Sequence, residues 1–81
     1  MSMLRVLSRS GDDRYFWDRG AVAVGDEEAV AAVKEAERIF REQRARGATA
    51  VRVTPGRPAE RMNEFDPSAE EIVMIPRVIG G

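Results

Sequence analysis

The chain has 81 residues, of which 43% are hydrophobic and 33% charged, and its formal net charge is −1. That length supports one compact core and not two, because a chain of this size buries only about 60% of the surface its unfolded form exposes. The charge balance lacks the basic surplus that phosphate neutralisation leaves on nucleic-acid binders, and cysteine and histidine are absent. Their absence removes Cys/His zinc sites, thiol catalysis and the imidazole base of the common serine triad. The expectation is a chain that is not an enzyme, holds no metal or cofactor, and stands on packing without disulfides.

In chain order, "MLRVLS" alternates and is rich in Leu and Val, so Met3 to Ser8 reads as a strand. The opening stretch "MSMLRVLSRSGDDR" lacks the sustained apolar run of a signal peptide, and nowhere do about 18 apolar residues follow one another. No membrane association and a cytoplasmic location are therefore expected. Ser10 to Asp13 reads as a turn, and "RYFWD" as a second strand that puts Tyr15 and Trp17 on one face and Phe16 on the other. Asp18 to Gly25 reads as a connection containing two glycines.

The period then changes. Asp26 is a candidate N-cap, Glu27 and Glu28 suit the positive end of a helix dipole, and Gly47 suits the position after the last turn, behind Arg41, Arg44 and Arg46. Between these ends Ala29, Val33, Ala36 and Phe40 recur at helical spacing, flanked by Val30, Ala32 and Ile39, with Lys34, Glu35, Arg38 and Glu42 on the other side. One long amphipathic helix is predicted. Ala48 to Thr54 returns to period two, with Thr49, Val51 and Val53 alternating against Ala50 and Arg52. "PGRPAER" is a loop, "MNEF" a candidate short strand turning Met62 or Phe65 inward, and "DPSAEE" a further turn. "IVMI", Ile72 to Ile75, is the strongest strand signal, apolar enough for burial on both faces.

A strand of that kind wants neighbours on both sides, which places it mid-sheet beside the first strand. The order predicts an α+β fold of the β-grasp kind: a mixed sheet of four to five strands with one long helix across one face. Residues 1–76 form the domain, and 77–81 a flexible tail.

The segment "VTPGRPAERMNEFDPSAEEIVMIPRVIGG" resembles the C-terminal part of ubiquitin-like β-grasp proteins: the bacterial modifiers, the small subunit of molybdopterin synthase and the thiamine-pathway sulfur carrier. The resemblance lies in an acidic turn (Asp66 to Glu71), an apolar strand (Ile72 to Ile75), Pro76 and the terminal Gly80-Gly81. It covers roughly the last third of the chain. Sulfur carriers often have a second proline where this chain has Arg77.

The resemblance implies that the Gly81 carboxylate is adenylated by an ATP-dependent activating enzyme. The resulting acyl group then passes to amines on target proteins, with a conjugating enzyme and a deconjugating peptidase as further partners. Gly80 gives clearance, since a residue without Cβ enters a narrow site and adopts dihedrals closed to others. Pro76 lacks an N–H and suits the end of sheet pairing. Arg77, Val78 and Ile79 are the side chains a partner grips. Two other functions compete: a sulfur carrier, in which the adenylate becomes a thiocarboxylate for cofactor biosynthesis, and an interaction or assembly subunit whose tail is never activated. Lys34 is the one lysine among thirteen basic residues, hence the one internal acceptor for lysine-linked chains.

Other candidate features read as structure. The Tyr15, Phe16 and Trp17 run could stack single-stranded nucleic acid, but on a net negative chain it reads as packing. Glu60, Glu64, Asp66, Glu70 and Glu71, interspersed with Arg57 and Arg61, read as solvated surface rather than a carboxylate site. The basic "REQRARG" complements the helix dipole, and Gly11 to Asp13 is turn chemistry lacking the other positions of a calcium loop.

Overall fold

The computed structural model describes residues 1–77. Its elements are β1 (Ser2–Ser8), β2 (Gly11–Trp17), α1 (Arg19–Ala23), α2 (Glu27–Ala45), β3 (Thr49–Val53), β4 (Glu60–Met62) and β5 (Glu71–Ile75). The sheet order is β2-β1-β5-β3-β4. β1 and β5 run parallel in the centre, with Leu4 level with Ile72. The β1–β2, β3–β5 and β3–β4 pairs are antiparallel. With α2 packed across one face, this is β-grasp topology.

Each element has a local cause. The β1–β2 hairpin closes between Ser8 and Gly11, and Gly11 takes φ 128°, a conformation that favours glycine. The tight turn is thus Arg9-Ser10, and Asp12 and Asp13, expected in the turn, already lie in β2. Asp26 caps α2: its Oδ2 accepts a hydrogen bond from the Ala29 amide at 3.0 Å, satisfying one of the orphan donors of the first turn. Gly47, at φ 92°, reverses the chain after the last turn, where the Gly47 amide donates to the Arg44 carbonyl and the Ala48 amide to that of Gln43.

The stretch expected to be a plain connection contains α1. Asp18 caps it, accepting from the Ala21 amide at 3.1 Å, and the chain leaves through Val24 and Gly25. Five residues are too few to display helical periodicity, so the pattern gives no sign of it. The short edge strand also falls earlier than expected: β4 ends at Met62, which points inward as anticipated, while Phe65 lies beyond it.

The core lies between α2 and the sheet. Paired residues share a face, so Val6, Met74, Ala50 and Met62 form one row beneath the helix, and Leu4, Ile72, Arg52 and Glu60 the next. Ala29, Ala36, Ile39 and Phe40 are the buried residues of α2, and Trp17 joins the core while Phe16 on the opposite face stays 52% exposed. Of "IVMI", Ile72, Val73 and Met74 are buried, but Ile75 is 40% exposed where the strand runs out of the sheet.

β3 shows that alternation does not say which side is in. Ala50 is fully buried under α2, whereas Val51 and Val53 are half-buried on the open face. Small Ala50 lies where Met74 and Met62 flank it under the helix, and Arg52, next on the same side, pairs with Asp66.

Candidate functional site

Of the residues singled out from the sequence, Pro76 and Arg77 stand where β5 leaves the sheet. β5 is held on both sides, in parallel by β1 and antiparallel by β3, and its pairing with β3 runs from Thr49–Ile75 to Val53–Glu71. It ends at Ile75, so Pro76 stands at the first position outside the ladder, as expected of a residue with no N–H to donate. Arg77 follows and lies against the turn that ends α2: a Cβ placed on Gly47 would sit 3.1 Å from Cδ of Arg77 and 3.6 Å from its Cβ. The absence of a side chain at Gly47 is therefore what admits the stem of Arg77. Pro76 and Arg77 share a shallow groove with Leu7, Asp13, Gln43 and Arg46. Val78, Ile79, Gly80 and Gly81 lie outside the described residues.

The turn that delivers the chain into β5 is tied down from three directions. Asp66 Oδ1 accepts from the Ser68 amide at 2.9 Å and from its hydroxyl at 2.6 Å, a local Asx turn. Asp66 Oδ2 meets the Arg52 guanidinium. The indole N–H of Trp17 donates to the Pro67 carbonyl at 2.9 Å, and Arg19 of α1 donates to the Ser68 carbonyl at 3.1 Å. Hydrogen bonds from Ser68, first its hydroxyl and then its amide, together with Arg52, hold the Asp66 carboxyl below the usual carboxylate range. None of these four ties was anticipated from the sequence. The "DPS" triplet is an Asx-turn signal that could have indicated the first; the partners Arg52, Arg19 and Trp17 lie 14, 49 and 50 residues away along the chain.

On the open face, register places Arg5 directly opposite Arg14, a like-charge pair that would destabilise the hairpin alone. Asp12 resolves it, with Oδ2 at 2.9 Å from an Arg5 nitrogen and 3.1 Å from Arg14, and Arg5 reaches Glu71 of β5 at 3.4 Å. The Asp12 carboxyl is held low by hydrogen bonds from Arg14 and then Arg5. Residues expected to form a turn instead lace β2, β1 and β5 together.

Lys34 is exposed on the outer face of α2, as expected. Of the acidic residues considered as a cluster, Asp66 and Glu71 are engaged with Arg52 and Arg5. Among the described residues no group of three or more acidic side chains converges, and no helix is long and apolar enough to cross a membrane. Arg44 stands in the last turn of α2, where a cation complements the helix dipole as expected, and it donates to the Ala48 carbonyl just beyond the helix at 2.9 Å.

No protein-family model, curated protein or solved structure matches the chain. The functional reading therefore rests on the chain's own residues.

Proposed function

We propose that this chain is a ubiquitin-like protein modifier of the cytoplasm. The observation that carries the reading is the end of β5: a central strand held on both sides stops at Ile75, Pro76 and Arg77 lead away past Gly47, and the diglycine stands three residues further along the chain. A strand held on both sides, followed within a few residues by two glycines that carry no side chain, suits a carrier that offers a carboxylate to another protein's active site.

The chemistry belongs to the partner. The Gly81 carboxylate, native or exposed by processing, attacks the α-phosphate of ATP in an activating enzyme and releases pyrophosphate. The acyl adenylate is then attacked by an amine nitrogen of a target protein, and AMP leaves as the amide bond forms; where a conjugating enzyme intervenes, its thiol first displaces AMP to give a thioester, and the amine then displaces that thiol. A deconjugating peptidase reverses the product. Lys34 is the one lysine of the chain and is exposed, so self-extension has one internal acceptor, and single attachment or linkage through the N-terminal amine is the expected form.

The test is intact-mass analysis after incubation with ATP and the activating enzymes of the host. An adduct on target proteins supports the modifier, exchange of one terminal oxygen for sulfur identifies a sulfur carrier, and an unchanged mass with every activating enzyme leaves an assembly subunit. Deleting Gly80 and Gly81 abolishes either product while the melting temperature stays at the wild-type value.

A further inference from the structure

β2 and β4 are the two edges of the sheet. β4 has three residues and follows Pro58, whereas β2 runs for seven, Gly11–Trp17, in unbroken register with β1. A long edge leaves backbone donors and acceptors open to another strand, and natural sheets blunt such edges with lysine, proline, a bulge or a cover. β2 has no lysine, proline or bulge, and among the described residues no strand pairs with its outer side. The groups that face outward follow from β1. The Met3 amide donates to the Glu70 carbonyl ahead of β5 at 2.9 Å, so residues 3, 5 and 7 turn their backbone groups toward β5, and residues 2, 4, 6 and 8 turn theirs toward β2. Trp17, Tyr15, Asp13 and Gly11, their partners, are satisfied inward. The N–H and C=O groups of Asp12, Arg14 and Phe16 are left on the outer edge.

Side chains decide what can add to that edge. A second copy laid antiparallel about a two-fold axis sets each residue opposite the one equidistant from the centre. Centres at Asp12, Asp13 or Arg14 each place a charge directly against itself, which is destabilising. A centre at Phe16 sets Arg14 against Asp18, which has already left the strand to cap α1, and so forfeits backbone bonds. A centre at Tyr15 has neither fault: Tyr15 meets Tyr15, Asp13 meets Trp17, and Arg14 meets Phe16 on the open face of the sheet. Arg14 and Phe16 then exchange both backbone hydrogen bonds, twice over by symmetry. Their side chains are free to meet, since Arg14 is exposed and Phe16 is 52% exposed, and a guanidinium against an aromatic ring is attractive. From this we infer that the chain forms a two-fold dimer through β2, centred on Tyr15, in which one sheet runs through both copies with both α2 helices on the same side. The charged half of β2 excludes the other registers, and the aromatic half makes the contact.

The experiment follows amide hydrogen exchange of the full chain, residue by residue by NMR, from dilute to concentrated solution, with sedimentation run on the same samples. The Arg14 and Phe16 amides slow by about tenfold or more in step with dimer formation. Phe16→Lys sets a lysine against Arg14 in both copies and weakens association about tenfold or more. Arg14→Glu combined with Phe16→Lys puts unlike charges at the same two places and restores it. Thermal melts of both variants check that the fold is intact. A monomer at every concentration overturns the inference, as do unchanged Arg14 and Phe16 amides in a dimer. Protection confined to Asp12 and Arg14 marks a centre at Asp13 and overturns it too. So does a dimer that Phe16→Lys leaves at full strength, or one that the folded double variant fails to recover.

Discussion

Trp17→Phe tests how far the turn ahead of β5 depends on one side chain. Trp17 is 2% exposed, its ring centroid lies 5.6 Å from that of Phe65, and its N–H donates to the Pro67 carbonyl. Phenylalanine keeps an aromatic ring against Phe65 but removes the donor. A hydrogen bond of this kind contributes about 0.5–1.5 kcal/mol net, and the low end applies because Pro67 is exposed and water can reach its carbonyl. The part of the indole that phenyl does not replace gives up roughly 40 Å² of apolar burial, worth about 1 kcal/mol.

The expected loss is about 1.5 kcal/mol from a total that, for a chain this long, is about 4–12 kcal/mol. At roughly 6 °C per kcal/mol the melting temperature falls by about 9 °C. Trp17→Leu, which also removes the ring pair with Phe65, loses about 1 kcal/mol more. Far-UV circular dichroism melts and urea titrations read both variants independently of the indole signal. A drop of less than about 3 °C for Trp17→Phe would refute the view that this residue pins the turn.

Three further outcomes follow from the geometry. Asp12 and Asp66 have folded pKa values below their unfolded ones, so their contribution is present above the unfolded value of about 3.9 and is lost as pH falls through the folded values. Asp66→Asn accordingly flattens the fall in melting temperature between about pH 5 and pH 2 relative to wild type. Gly47→Ala forces a side chain into a φ of 92° and against Arg77; it costs about 1–2 kcal/mol, measured by urea titration. Ser2→Ala is neutral or stabilising by up to about 1 kcal/mol in thermal melts, because the hydroxyl of Ser2 is fully buried without a hydrogen-bond partner.

Strong local signals transferred well from sequence to structure. The Asp26 and Gly47 ends of α2, the face carrying Ala29, Ala36 and Phe40, the opposed directions of Phe16 and Trp17, and the central place of "IVMI" all depend on periodicity and caps. Those are properties of neighbouring residues. They were sufficient for the topology, because a strand apolar on both faces has few places to go in a sheet with one helix.

Other features depend on residues brought together from far apart. Alternation in "TAVRV" is symmetric between two faces, and α2 and its neighbours place Ala50 rather than the valines in the core. The Asp18 to Gly25 stretch forms α1 because one cap and one turn suffice once Arg19 can reach Ser68. The seat of Arg77 on Gly47 joins positions thirty residues apart. No spacing along the chain encodes such a meeting, since it arises when α2 and β5 end side by side. The diglycine and the absence of cysteine and histidine are visible in the sequence alone. That the chain leaving β5 passes Gly47 at the end of α2 is a consequence of how the sheet and helix pack.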